Sequence, residues 1–133
     1  MRLVCAILLC ASAATAQTPS SSTRPMEVAE LRALDTITGI VTDLTVPVGQ
    51  QVRYERLEIT VSACRASAEG DKPDAYGYLT VRDIRQEAPN FTGWMIASSP
   101  ALSAMDHARY DVWVLRCTAS SGEASSGNTD QSD

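Results

Sequence analysis

The sequence has too little positive charge to bind nucleic acid. Its 133 residues contain 11 Lys and Arg against 16 Asp and Glu, which gives a formal net charge of −5. Lys72 is the sole lysine, and no stretch gathers arginine into a basic patch. Contacts from Lys and Arg to phosphate supply most of the non-specific affinity for nucleic acid. The composition therefore excludes nucleic acid as a partner.

The chain also lacks an apolar run long enough to cross a bilayer. Residues 3–11 are apolar, about half of the roughly 20 residues that a spanning helix needs. This run follows the single positive charge of Arg2 and precedes Ala14-Thr15-Ala16, the small-x-small pattern that a signal peptidase reads. We expect residues 1–16 to be a signal peptide that is cleaved between Ala16 and Gln17. The mature protein would then be periplasmic or secreted, with no transmembrane segment.

Cysteine and histidine are scarce. Cys5 and Cys10 lie in the predicted signal peptide, which leaves Cys64 and Cys117, 53 positions apart, in the mature chain. Two cysteines in an oxidising compartment most simply form a disulfide, and closing such a loop stabilises a fold by about 4 kcal/mol in chain-entropy terms. A structural zinc site usually needs four Cys or His ligands, and His107 is the single histidine. We therefore expect neither metal nor cofactor.

The two ends of the predicted mature chain are poor in large apolar residues. Residues 17–28 begin with a Ser/Thr/Pro-rich stretch, and residues 119–133 form an acidic Ser/Gly-rich tail. Such segments bury too little surface to offset the entropy of ordering. The sequence thus predicts a flexible linker over 17–28, one domain over 29–118 and a disordered tail over 119–133.

The domain shows short β-branched runs separated by turn residues, and it has no long amphipathic helix. This pattern predicts an all-β domain, a compact antiparallel sandwich or barrel of about six short strands. One such run places Ile40, Leu44 and Val46 on a common face. In the last predicted strand, residues 110–118, apolar side chains occupy both faces, and we expect Trp113 to lie in the core.

Two changes of phase predict local irregularities. Val52 and Tyr54 occupy even positions, whereas the buried face of the next run occupies odd positions, so a turn or bulge is expected at Glu55-Arg56. Cys64 is out of phase with the run 57–61 that precedes it. The strand must therefore bulge or end near Ala63 if Cys64 is to point inward.

Residues 98–109, which connect the last two strands, are not a simple turn. Ser99 is suited to cap a short helical turn that begins at Pro100, a position where the missing N–H does no harm. Leu102 and Met105 would then face the core. We expect the polar residues that follow the turn to face solvent or a partner beside the ring of Tyr110. These residues are Asp106, His107 and Arg109.

Two functions compete for this segment. Aromatic and arginine residues are enriched at interface anchors, and this favours a non-catalytic cell-envelope module that binds an envelope protein or a glycan. The candidate binding residues are Trp94, Asp106, His107, Arg109 and Tyr110.

The alternative is a hydrolase. It would use Ser98 or Ser99 as the nucleophile, with His107 and either Asp106 or Asp111. The sequence lacks a Gly-x-Ser-x-Gly elbow, and Ser99 is explained by the predicted helix cap. We therefore expect no catalytic residue.

A family resemblance is carried by two motifs. The run Gly93-Trp94-Met95-Ile96-Ala97-Ser98-Ser99-Pro100, continuing through His107, and the closing Tyr110-Asp111-Val112-Trp113-Val114-Leu115-Arg116-Cys117 resemble small exported proteins of alphaproteobacteria, family 2155 among the domains of unknown function. The resemblance covers roughly residues 29 to 117, although Ala108 stands where the pattern leads us to expect proline. It implies a secreted domain without an assigned activity, so no catalytic residue is carried over.

Overall fold

A computed structural model describes residues 22–120. The predicted signal peptide and its cleavage site lie outside the described residues, as do residues 17–21 of the predicted linker and 121–133 of the predicted tail. The elements in chain order are β1 (Thr23–Met26), β2 (Val28–Asp35), β3 (Val41–Pro47), β4 (Gln51–Tyr54), β5 (Leu57–Ser67), β6 (Ala75–Asp83), β7 (Phe91–Ile96), a 3₁₀ turn (Pro100–Ser103) and β8 (Tyr110–Thr118).

The strands form two antiparallel sheets that pack face to face. The five-stranded sheet has the order β1-β5-β6-β7, with β4 also paired to β5, and the three-stranded sheet has the order β3-β2-β8. The predicted all-β antiparallel fold is therefore confirmed as an open sandwich and not a closed barrel, with one short helical turn before the last strand.

The structure has eight strands within residues 22–120, where the sequence predicted about six. Strand β1 lies inside the predicted linker, so the expectation of a flexible segment was wrong for that stretch. The reason is tertiary, because β1 pairs with β5 from Thr23 opposite Ser67 to Met26 opposite Cys64. The guanidinium of Arg65 also donates to the hydroxyl and the carbonyl of Thr23.

The core lies between the sheets. The alternation of apolar residues in the sequence identifies most of the side chains that form it. In β5 up to Val61 and throughout β6, the odd residues are buried and the even ones face outward. The large aliphatic members of this inward set are Leu57, Ile59, Val61, Leu79 and Val81. As predicted, the phase changes at Glu55-Arg56, a two-residue hairpin in which Glu55 takes a left-handed φ of 51° between the paired Tyr54 and Leu57.

The predicted disulfide is present and joins the two sheets. Cys64 on β5 and Cys117 on β8 are bonded, with their Cα atoms 5.7 Å apart. The predicted irregularity before Cys64 is a bulge, since the β5–β6 register shifts between Val61 and Ala63. A second bulge in β8 leaves Leu115 without a partner on β2. Each cysteine therefore follows a bulge that turns its side chain toward the other sheet.

The connection before β8 corrects two expectations. Ser99 precedes the turn, but its side chain makes no capping hydrogen bond. Leu102 is 75% exposed and does not face the core, whereas Met105 is buried as predicted. The turn is only four residues of 3₁₀ helix, with three residues per turn, so the 3.6-residue spacing assumed for Leu102 and Met105 does not apply.

Two apolar residues expected inside lie elsewhere. Ile40 is 62% exposed because it belongs to the β2–β3 hairpin turn, ahead of the first residue of β3. Trp113 pairs with Arg32 on the outer face of the three-stranded sheet and is half-buried there. The apolar residues on both faces of β8 thus reflect a core face and a partly covered outer face.

Candidate functional site

A buried carboxylate at the end of β6 organises the polar cluster of the sandwich. Asp83 follows Leu79 and Val81 in the inward phase, and its side chain is 1% exposed. Its Oδ2 accepts hydrogen bonds from the Arg56 guanidinium at 3.1 and 3.2 Å and contacts His107 Nε2 at 3.1 Å. Its Oδ1 accepts the backbone N–H of Arg85 at 2.9 Å. The hydrogen bonds from Arg85, His107 and Arg56 hold the pKa of the Asp83 carboxyl well below its usual range.

His107 has both ring nitrogens engaged. Its Nδ1 accepts the backbone N–H groups of Arg109 and Tyr110, each at 3.0 Å. The proton of the neutral ring therefore sits on Nε2, which donates to Asp83. The side chain is only 4% exposed, so the expectation that His107 faces solvent was wrong. A histidine held in this way positions the start of β8 and has no free lone pair with which to accept a proton.

Tyr110 lies at the centre of the cluster and is 3% exposed, so it too is buried and not beside solvent. The guanidinium carbons of Arg56 and Arg109 lie 5.3 and 5.2 Å from its ring centroid, within cation–π range. The ring of His107 stacks on it at 5.3 Å, and Tyr54 meets it edge-on at 5.7 Å. The cluster thus packs charged groups against an aromatic centre.

A second buried carboxylate holds Arg109. Asp35 ends β2 opposite Tyr110, and its Oδ2 accepts Arg109 Nη2 at 2.7 Å. Its Oδ1 accepts the backbone N–H groups of Ile37 and Thr38, which fixes the β2–β3 turn. The Arg109 hydrogen bonds, assisted by those backbone groups, lower the pKa of Asp35 from 3.8 to about 2. Arg109 is therefore committed to Asp35, contrary to the expectation that it is free to meet a partner.

Of the five predicted binding residues, the structure brings together three, His107, Arg109 and Tyr110. Asp106 is exposed beside them in the chain. Trp94 lies on the outer face of the five-stranded sheet, 43% exposed, with its ring edge-on to Tyr78 at 5.4 Å.

Sequence reasoning missed four members of the cluster, Asp35, Tyr54, Arg56 and Asp83. Two of these four residues could have been recognised from the sequence. Asp35 and Asp83 occupy the core phase of their strands, where a carboxylate is stable only with partners.

The alternative hydrolase residues are not assembled. The hydroxyl of Ser98 donates to Asp74 at 2.6 Å, and Asp111 accepts the backbone N–H of Val112 at 2.9 Å. His107 instead bonds Asp83 and two backbone groups of its own loop. Within residues 22–120, no group of three His, Cys, Asp or Glu side chains is placed to hold a metal ion, and no helix is long and apolar enough to cross a membrane.

These features define a disulfide-linked antiparallel β-sandwich with a buried Arg–Asp–His–Tyr cluster at one end. The family model described as "Uncharacterized protein conserved in bacteria (DUF2155)" matches residues 29–117, and the chain belongs to this family. It is similar to the uncharacterized protein RP359 of Rickettsia prowazekii (strain Madrid E), with 26% identity over 88 residues, 64% of this chain and 57% of that protein. The chain therefore spans little more than half the length of this relative. The search of solved structures gave no match.

Proposed function

We propose that this protein is an exported, non-catalytic binding or accessory module of the bacterial cell envelope. The observation that carries the proposal is the Cys64–Cys117 disulfide between the two sheets, since such bonds persist in oxidising compartments. The signal-peptide pattern of residues 1–16 supports the same compartment, and the family of the chain is described from bacteria.

The polar side chains that a hydrolase would use are already engaged in other hydrogen bonds, and this supports a non-catalytic protein. His107 is buried with both ring nitrogens bonded, and Ser98 is bonded to Asp74. A hydrolytic serine needs a histidine within hydrogen-bond reach that can accept its proton. A serine-directed probe that labels Ser98 or Ser99 in the folded wild-type protein, with labelling lost in His107→Gln, would favour the hydrolase.

Export is tested by intact mass. The protein recovered from the periplasm or medium should begin at Gln17, and alkylation without reductant should modify neither Cys64 nor Cys117. A product that retains residues 1–16, or one in which both cysteines alkylate fully, would contradict the proposed compartment.

The surface best suited to recognition is the outer face of the five-stranded sheet. Tyr76, Tyr78 and Trp94 lie side by side there, on neighbouring strands, and Trp94 is the most exposed of them. Aromatic side chains supply contact area at low entropic cost, and tyrosine and tryptophan are enriched at binding anchors. Two arginines on this face have partners within the chain, since Arg82 pairs with Glu58 and Arg65, opposite Tyr76, donates to Thr23. The aromatic side chains of this face therefore fit a partner surface on an envelope protein or a glycan.

A pull-down from the envelope with tagged mature protein tests this surface. We expect Trp94→Ala to recover less partner than wild type. Trp113→Ala is the matched control, because Trp113 is also a partly exposed tryptophan but lies on the outer face of the opposite sheet. Equal recovery by wild type and Trp94→Ala would contradict the assignment of the face.

A further inference from the structure

The β2–β3 hairpin presents an apolar surface that the proposed function does not explain. Ile37, Ile40 and Val41 are 72%, 62% and 52% exposed. Val41 is the register partner of Leu34, which is half-buried on the same outer face. Exposed aliphatic side chains grouped on one hairpin are typical of an interaction surface.

This patch adjoins an open sheet edge. β3 is one of the two edge strands of the three-stranded sheet, and no other strand in residues 22–120 pairs with its far side. The bonds Asp35 N to Ile40 O and Val48 N to Glu27 O fix the hydrogen-bonding phase of the β2–β3 ladder. By alternation, the odd residues of β3 turn their backbone groups toward the open edge. These residues are Val41, Asp43, Thr45 and Pro47.

We propose that a second copy of this chain pairs with β3 in antiparallel orientation, about a two-fold axis at Leu44. In this register Asp43 faces the partner's Thr45 and exchanges both backbone hydrogen bonds with it. Val41 faces the partner's Pro47 and donates its N–H to the proline carbonyl. The one bond missing from this pair is the bond to the Val41 carbonyl, because proline has no N–H to donate. The two three-stranded sheets then form one continuous sheet of six strands.

Charge selects this register over its neighbour. A shift of the two-fold axis to Asp43 would place that carboxylate directly opposite its own copy, and like charges in opposed positions destabilise a sheet. With the axis at Leu44, each Asp43 keeps its own Arg32, at 2.7 Å, and meets a neutral threonine.

The same register covers Val41, the part of the apolar surface that belongs to β3. The outward row formed by Leu34 and Val41 continues into the partner's Pro47 and Val28, because Val28 pairs with Pro47 within each chain. The two-fold axis creates this row twice, so each copy covers the exposed Val41 of the other.

A charge change at the centre of the pairing tests the inference. Thr45 is exposed and would face the partner's Asp43 twice in the dimer. Thr45→Asp should raise the dimer dissociation constant about tenfold, and Thr45→Lys should lower it by a comparable factor. Sedimentation velocity over a range of concentrations of the mature protein measures both. The matched control is Thr92→Asp, an exposed threonine on the edge strand β7, which should leave the dissociation constant unchanged.

Three results would overturn the pairing. They are a wild-type protein that is monomeric up to its solubility limit, Asp and Lys substitutions that shift the equilibrium in the same direction, and an equal effect of Thr92→Asp. Thermal melting of each variant at low concentration shows whether its monomer is folded. Since the partner pull-down relies on Trp94, on the other sheet, either inference can fail without the other.

Discussion

At the scale of single residues, two carboxylates govern one end of the sandwich. Asp35 and Asp83 occupy core positions of their strands, and both are nearly inaccessible to solvent. Each is stabilised by an arginine and by backbone N–H groups that its own strand end supplies. Because a buried charge is costly unless it is paired, these contacts make the end of the sandwich sensitive to substitution and to pH.

Asp83→Ala should lower the free energy of unfolding by about 3 kcal/mol, because it leaves the buried His107 and the partly buried Arg56 without their acceptor. Urea unfolding monitored by tryptophan fluorescence measures the change. Asp43→Ala is the control, since it removes an exposed pair with Arg32 and should cost less than about 1 kcal/mol. Similar losses in the two variants would contradict the central role of Asp83.

Acid should destabilise the fold. The pKa of Asp35 is lowered to about 2 by Arg109, and that of Asp83 is lowered in the same direction. A carboxyl whose folded-state pKa is depressed contributes stability above its unfolded pKa, near 3.8, and loses it as the pH falls toward the folded value. Urea midpoints should therefore fall between about pH 4 and pH 2. Asp35→Asn should show a shallower decline, and a midpoint that is constant over this range would refute the assignment.

The buried position of His107, which the sequence predicted to face solvent or a partner, makes His107→Ala a destabilising substitution. The substitution removes the donor to Asp83 and the acceptor of two backbone N–H groups at the start of β8. Leaving buried groups unsatisfied costs about 1–3 kcal/mol each, so we expect a loss of at least about 2 kcal/mol by urea unfolding. A loss below about 0.5 kcal/mol, the usual range for an exposed site, would contradict the buried placement.

At the scale of the elements, the two sheets meet closely at a glycine. Gly77 on β6 faces Val114 on β8, and a Cβ at position 77 would lie 2.7 Å from Val114 Cγ2. The φ of Gly77 is not positive, so space and not backbone conformation requires glycine here. Gly77 is also the register partner of Cys64, which places this close approach next to the disulfide.

Gly77→Ala should destabilise the protein by about 2 kcal/mol through overpacking. Val114→Ala removes the obstructing methyl group, so the double variant should be more stable than the sum of the two single changes predicts, by about 1 kcal/mol. Chemical unfolding of the wild type, the two single variants and the double variant measures this coupling as a double-mutant cycle. Strict additivity would show that Gly77 is not limited by contact with Val114.

At the scale of the whole molecule, one covalent bond links the two sheets. A double variant that carries Cys64→Ala and Cys117→Ala should have a free energy of unfolding lower by about 4 kcal/mol, as expected for the 53-position loop. Reductant should weaken the wild type to a similar extent and leave the double variant unchanged. If reductant leaves the wild-type stability unchanged, the disulfide does not stabilise the fold in this way.

The sequence by itself determined the features that depend on local pattern. Alternation of apolar residues predicted the strands and their buried faces, and the phase changes located the Glu55-Arg56 turn and the bulge before Cys64. These were predictable because side chains alternate strictly along a strand, so a break in phase must appear in the backbone. The pairing of Cys64 with Cys117 was predicted because no other cysteine remains once the predicted signal peptide is removed.

Tertiary structure alone decided what depends on partners distant in sequence. Strand β1 exists because β5 offers it an edge, although its own composition predicts a flexible linker. His107 and Arg109 look like free polar residues in sequence, but they are fixed by Asp83 and Asp35, respectively 24 and 74 positions away. Trp94 lies apart from them, because it is on the outer face of the five-stranded sheet whereas they are at the strand ends of the sandwich. Local pattern cannot fix such pairings, because the free energy of a buried charge depends on which strand ends the fold brings together.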